Sequence, residues 1–177
     1  LSATRRAEHL AEGRRPALRL RTDGETFEVH DLVAGPYRGT VDDVVLQRND
    51  GVPAYNLAVV VDDAAQDITH VLRGDDLLAS TPRQMLLQHL LGLPHPTYAH
   101  VPLVLAPDGT RLAKRHGAVT LADLAARGVG PAQALTRLGA SLGLCADDEP
   151  VTAATLAERF RIEAVPHTPW RLVATDL

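Results

Sequence analysis

Arg111-Leu112-Ala113-Lys114-Arg115, entered from His100-Val101-Pro102-Leu103-Val104-Leu105 through Pro107-Asp108-Gly109, is the stretch on which the reading of this chain turns. The apolar run Val101–Leu105 reads as a strand, and Pro-Asp-Gly is turn chemistry. The strand therefore delivers a short loop with three cations in five residues, which runs on through Gly117 into a helical tail. Close positive charges repel one another and gain little from packing. Such a loop is either a solvated basic hairpin tip or a place where a polyanion, such as the phosphates of a nucleotide, neutralises the charge.

The elements on either side give the fold class. Upstream, Ile68–Arg73 reads as a strand broken by Gly74-Asp75-Asp76, and Val44–Arg48 as another ending at Asn49-Asp50-Gly51. Pro53 suits the first position of a helix carrying Tyr55, Leu57, Ala58, Val60 and Val61. Ser80 or Thr81 caps a helix with Pro82 at its start, Gly92 past its end and an apolar face of Leu86, Leu87, Leu90 and Leu91. Strands alternating with helices predict an α/β fold with a largely parallel sheet. Nearer the start, Ser2 caps a helix through Ala7, Leu10 and Ala11 that Gly13 closes. Ala17–Arg21 and Thr26–His30 alternate apolar and polar residues around Asp23-Gly24, which predicts a small antiparallel hairpin. Ala34–Gly39 is turn chemistry, and a subdomain boundary is placed near residue 40. Downstream, Thr120 caps Leu121–Ala126, Gly130-Pro131 opens a helix through Leu135, Leu138 and Leu142, and Thr152 caps Ala153–Phe160, where Leu156 and Phe160 are spaced to bury together.

Bulk properties bound what the chain can be. With 177 residues, 45% hydrophobic and only 3% aromatic, it has enough apolar surface for a core, built from Leu, Val and Ala. A net charge of -4 gives no global attraction to nucleic acid, so any RNA contact must be local. Arg5, Arg6, Arg14, Arg15, Arg19 and Arg21 crowd the first 21 residues, as a solvated face or as an RNA-facing patch. Cys145 is the sole cysteine, which excludes an internal disulfide and a cysteine zinc cage, and the eight histidines show no His-x-His or His-x-x-x-His pair. No metal site is expected from them. No apolar run approaches the ~18–20 residues of a membrane span, so the expectation is a cytoplasmic protein away from membranes. The chain opens on Leu1 and a helix cap, and is read as part of a longer protein whose missing part is N-terminal.

Leu112-Ala113-Lys114-Arg115 after His-Val-Pro-Leu-Val-Leu resembles the lysine-rich "KMSKS" loop of class I aminoacyl-tRNA synthetases, above all in the glutamyl branch. There a lysine at the place of Lys114 stabilises the pyrophosphate leaving group. Arg111 stands for the first lysine of the pattern and Ala113 for its serine, so one charge is kept and one hydroxyl is dropped. A second resemblance lies in Pro53–Asp63 followed by Thr69–Leu77, which is similar to the amino-acid and adenylate pocket of the same group. It implies that Tyr55 and Arg73, 18 positions apart, bind glutamate. A guanidinium can hold a carboxylate by two parallel charge-assisted bonds, and a phenol adds one directional donor. Taken alone, Tyr55 reads as a half-buried core tyrosine and Arg73 as the partner of Asp75 or Asp76.

The resemblance further implies Asp76 near the ATP ribose, the backbone of Leu103 and Val104 against adenine, and His100 on the adenine side or as a structural histidine. Asp62-Asp63 reads as helix termination, with paired carboxylates or Mg²⁺ as the other reading. Val59 stands where glutamyl-tRNA synthetases usually carry asparagine, which places the chain nearer the glutamyl-Q tRNA(Asp) synthetases. Nothing in it resembles the "HIGH"-type motif of those relatives, so the match is to their C-terminal portion. Residues 1–40 would end the acceptor-type insertion, 41–118 form the second half of the Rossmann-like domain, and 119–177 a helical subdomain. The implied chemistry is ATP-dependent activation of glutamate, with Mg²⁺ accompanying the ATP, and transfer to the queuosine base of tRNA(Asp). Lys114, Arg111 and Arg115 would be the catalytic cations, Zn²⁺ would sit only in an upstream segment, and the protein would be a monomer. The alternatives are an ordinary glutamyl-tRNA synthetase charging tRNA(Glu), a non-catalytic tRNA-binding relative, and a plain α/β interaction domain.

Overall fold

The structure, a computed structural model, describes residues 2–112 and 120–172. Its first helix, α1 (Ala3–Ala11), starts where the Ser2 hydroxyl accepts from the Arg5 amide at 3.3 Å, and it buries no residue. Strands β1 (Leu18–Leu20), β2 (Thr26–Asp31), β3 (Gly35–Thr40) and β4 (Val44–Gln47) follow. The predicted hairpin of the first two does not form. Instead β1 runs antiparallel to β4, and β2 antiparallel to β3. The cause lies in where the polar groups of the connection find partners. The Thr22 amide donates to Asp43 Oδ1 and its hydroxyl to the Val41 carbonyl, each at 3.1 Å, so the end of β1 is tied to the entry of β4.

The segment expected as turn is mostly strand. The β2–β3 connection is the three residues Leu32–Ala34, closed by Gly35 at φ 76°, as three-residue hairpin loops require. Gly39 serves packing, because a Cβ there would lie 2.7 Å from Cγ of Pro82.

Two packing units result: Leu1–Asp31, Gly35–Val71 and Leu77–Tyr98 in one, and Leu32–Ala34, Leu72–Asp76 and Ala99–Leu177 in the other. The core of the first is Val41, Val44, Val60, Leu86 and Leu87, with Leu20, Phe27, Leu46, Leu57, Val59 and Leu93 around it. Helix α2 (Tyr55–Ala65) has no side-chain cap. Ala54 sends its amide to the Leu46 carbonyl at 2.8 Å, and Pro53 bridges Gln47 just ahead of the helix instead of taking its first position. Helix α3 (Thr81–Leu91) carries Pro82 in its first turn and ends at Gly92 with φ 65°. Its buried face is Thr81, Pro82, Gln84 and Leu86–Gln88, whereas Leu90 and Leu91 are half exposed. Hydrogen bonding explains how glutamines come to be inside: Gln88 Nε2 donates to the Tyr98 hydroxyl at 3.0 Å and Gln84 Nε2 to Asn56 Oδ1 at 3.1 Å.

Strands β5 (His70–Gly74) and β6 (Thr97–Val101) are hydrogen-bonded neighbours. The single strand expected over residues 101–105 is interrupted at Pro102, which has no N–H to give to a ladder, and resumes as β7 (Val104–Leu105). In the second unit β7 runs parallel to β8 (Trp170–Arg171). Among the described residues the strands pair in twos, with parallel pairing at β7–β8, and not as the largely parallel sheet expected from element order.

Helix α4 (Leu121–Ala126) has the predicted cap, a reciprocal box between Thr120 and Asp123. Helix α5 (Pro131–Ser141) opens at Gly130-Pro131 as predicted and buries Ala134, Thr136 and Gly139. A Cβ at Gly139 would lie 2.6 Å from Leu156 Cδ2 and 2.9 Å from Cys145 Sγ, so the helix packs through its smallest residue. Helix α6 (Ala153–Arg159) is capped by Thr152, and Phe160 at its end stays 41% exposed, so it does not bury with Leu156. Val33, Ala99 and Val165 form this unit's buried cluster. No described helix is long and apolar enough to cross a membrane.

Candidate active site

Arg73 is the penultimate residue of β5 and His100 lies in the neighbouring β6. Arg73 Nε donates to His100 Nε2 at 2.9 Å, and His100 is only 1% exposed. A guanidinium can only donate, so the imidazole accepts at Nε2 and carries its ring hydrogen on Nδ1. The sequence reading placed Arg73 in the site, left His100 between the adenine side and a structural role, and did not pair the two. They stand 27 positions apart, and no local pattern reports on neighbours across strands.

One residue further, the backbone passes under two side chains. A Cβ at Gly74 would lie 2.8 Å from Asp76 Oδ1 and 2.8 Å from Leu103 Cδ2. Asp76 sits in the 3₁₀ segment Asp75–Ser80 and accepts a hydrogen bond from Arg111 Nη1. Arg111 stands on a hairpin. It bridges Leu105, while the Ala106 amide donates to Thr110 O at 2.8 Å and the Leu112 amide to Val104 O at 3.2 Å. Asp108 Oδ1 fastens the tip by accepting from the Thr110 amide at 2.9 Å and from its hydroxyl at 2.7 Å, and Gly109 takes φ 83°. Asp76, Leu103 and Arg111 are thus gathered at the end of β5. The Arg111 charge, expected on phosphate, rests here on the Asp76 carboxylate, and the Val104 carbonyl, expected on adenine, accepts from Leu112.

In the first unit Tyr55 opens α2 at 58% exposure, which removes the core-tyrosine reading. It lines a polar cleft of about 260 Å³ with Arg19, Asp42, Asn56 and Arg83. Arg83 Nε donates to Asp42 Oδ1 at 2.7 Å, and that bond holds the Asp42 carboxyl below its usual range. Asp62 and Asp63 fall in the last turns of α2, where their carbonyls accept from the Gln66 amide at 3.0 Å and the Ile68 amide at 2.9 Å. Among the described residues no group of three or more His, Cys, Asp or Glu side chains converges on a point. The two remaining predicted residues, Lys114 and Arg115, lie outside the described residues. The Asn56–Gln84 bond, which ties the start of α2 to α3, was missed because an Asn and a Gln 28 residues apart give no signal in sequence.

The family model for tRNA synthetases class I (E and Q), catalytic domain, matches residues 1–177. The chain belongs to this family. It is 57% identical over 177 residues to a glutamyl-Q tRNA(Asp) synthetase of Nocardia farcinica, covering 100% of this chain and 56% of that relative. It is also 47% identical over 162 residues to a glutamate–tRNA ligase 1 of Acidithiobacillus ferrooxidans, covering 87% of this chain and 34% of the ligase. Among solved structures, the glutamate tRNA ligase of Elizabethkingia meningosepticum in complex with its amino acid matches with a TM-score of 0.75 and 25% identity over 99% of this chain and 40% of that one. The α/β fold is therefore that of a glutamyl-tRNA synthetase catalytic domain, of which this class I chain spans about half the length of the relatives it matches.

Proposed function

We propose that the chain is part of an enzyme that activates glutamate with ATP as glutamyl-AMP and passes it to the queuosine base of tRNA(Asp). The observation that carries the reading is the pairing of Arg73 with a buried histidine in a chain 57% identical throughout to a glutamyl-Q tRNA(Asp) synthetase. In this reading Arg73 grips the glutamate side chain through a two-pronged contact and Tyr55 adds a donor. The glutamate carboxylate that attacks ATP is already ionised near neutral pH, so activation needs positioning and charge stabilisation, not a general base. Lys114 neutralises charge on the leaving pyrophosphate, with Arg111 or Arg115 assisting and Asp76 near the ribose. Mg²⁺ would arrive with the ATP and be held largely by its phosphates. Zn²⁺ would belong to an upstream segment; Cys145 here donates its S–H to the Thr136 carbonyl at 3.4 Å. Residues 1–40 serve as the end of the acceptor-type insertion, 41–118 as the nucleotide-binding half and 119–177 as a helical subdomain, in a monomeric cytoplasmic protein.

The test is glutamate-dependent ATP–pyrophosphate exchange by the complete enzyme. Lys114→Ala is expected to slow it by about 10²–10³ without loss of fold, the usual effect of removing one transition-state charge contact. Wild-type exchange in that variant removes Lys114 from the mechanism. The acceptor is decided by transfer assays with queuosine-containing tRNA(Asp) and with tRNA(Glu). Charging of tRNA(Glu) alone would make this an ordinary glutamate–tRNA ligase, the activity that the 47%-identical relative is named for.

A further inference from the structure

His100 is almost wholly enclosed, and a side chain 1% exposed has no surface to offer a nucleotide base. His100 Nε2 accepts from Arg73 Nε at 2.9 Å. An arginine has long, freely rotating bonds, and a guanidinium held at Nε has its plane fixed, so its two Nη groups keep one direction. Binding then costs less ordering, and the fork meets a carboxylate edge-on. We propose that His100 is a positioning residue for Arg73, setting the guanidinium plane for two-pronged capture of the substrate's side-chain carboxylate. The inference rests on the reading of Arg73 as the glutamate-binding arginine. It moves His100 from the adenine side of the site to the amino-acid side.

The two placements differ in which substrate suffers when the bond is removed. In the complete enzyme, His100→Leu is expected to raise the KM for glutamate about tenfold, the usual size for loss of a hydrogen bond to a charged group, while the KM for ATP stays within about twofold. His100→Gln, which restores an acceptor for Nε, should recover most of the loss. An unchanged glutamate KM, or a rise confined to ATP, overturns the proposal. Should the leucine variant fail to fold, His100→Asn decides: its shorter amide stops short of Nε, and a folded protein with wild-type glutamate KM again overturns it. Arg73→Lys serves as the control. If that substitution leaves the glutamate KM unchanged, the reading of Arg73 itself has failed. If it raises KM while His100→Leu does not, only the positioning role has failed.

Discussion

At Gly74 a single missing methyl decides what can gather at the end of β5. Alanine there would put a Cβ 2.8 Å from both Asp76 Oδ1 and Leu103 Cδ2, closer than such atoms approach, so the neighbours must move. Both are ends of flexible side chains, which places the expected cost at the low end of overpacking, about 1 kcal/mol. The partner interaction is weaker. The Asp76–Arg111 pair has side chains 29% and 64% exposed, and exposed ion pairs contribute about 0–1 kcal/mol. Gly74→Ala is therefore expected to lower the urea midpoint more than Asp76→Asn does. The reverse order would mean that the ion pair, and not the close approach, holds this corner. In the sequence Gly74 reads only as a strand breaker, because what it makes room for comes from residues 2 and 29 positions away.

At the scale of elements, the start of α2 shows how a helix without its own cap is held. Its end is tied by the Ala54 amide to the Leu46 carbonyl and by Gln84 Nε2 to Asn56 Oδ1, with Gln84 only 2% exposed. Gln84→Leu keeps the volume but leaves the Asn56 oxygen without that partner, at an expected cost of about 1–3 kcal/mol in urea unfolding. Adding Asn56→Leu should recover part of it, since removing both partners of a bond costs less than orphaning one. If the double variant is instead destabilised by the sum of the two singles, the bond does not hold the helix. Caps and closers such as Ser2, Thr120, Thr152 and Gly92 were legible because each acts within four residues. Strand partners were not. Arg19 lies opposite Val45, 26 residues on, and the choice was made by Thr22 bonds that only the folded chain reveals. The buried face of α3 escaped for a related reason: apolar periodicity counts Leu90 and Leu91 and passes over Gln84 and Gln88, which earn their place by hydrogen bonds. For the candidate site, residue types alone left Tyr55 as a core tyrosine and Arg73 as an ion-pair partner, and it was the resemblance that nominated them with Asp76 and Arg111. The contacts that orient Arg73, Asp76 and Arg111 cross between elements and leave no mark in the sequence.

For the molecule as a whole the sequence yields a net charge of -4 but not which acids stabilise the fold. Among the described residues three carboxyls are held below their usual range: Asp42 by the hydrogen bond from Arg83, Asp123 by the Thr120 hydroxyl and amide, and Glu149 by Arg159 and the Ala146 amide. All three are solvent-facing, so each contributes modestly and acts together with the others. A depressed folded pKa means that the folded chain binds fewer protons than the unfolded chain between the two values, so stability rises with pH across that interval. The contribution is complete above the ordinary carboxylate range and is lost as pH falls below about 4, through the lowered values. Urea midpoints at neutral and acid pH should therefore differ in the wild type, and the difference should shrink when Asp42→Asn, Asp123→Asn and Glu149→Gln are combined. High salt should shrink it too at Asp42 and Glu149, whose arginine partners are screened, and less at Asp123, whose bonds are to a hydroxyl and a backbone amide. A combined variant as acid-sensitive as the wild type would assign the loss to other groups and take these three out of the pH dependence.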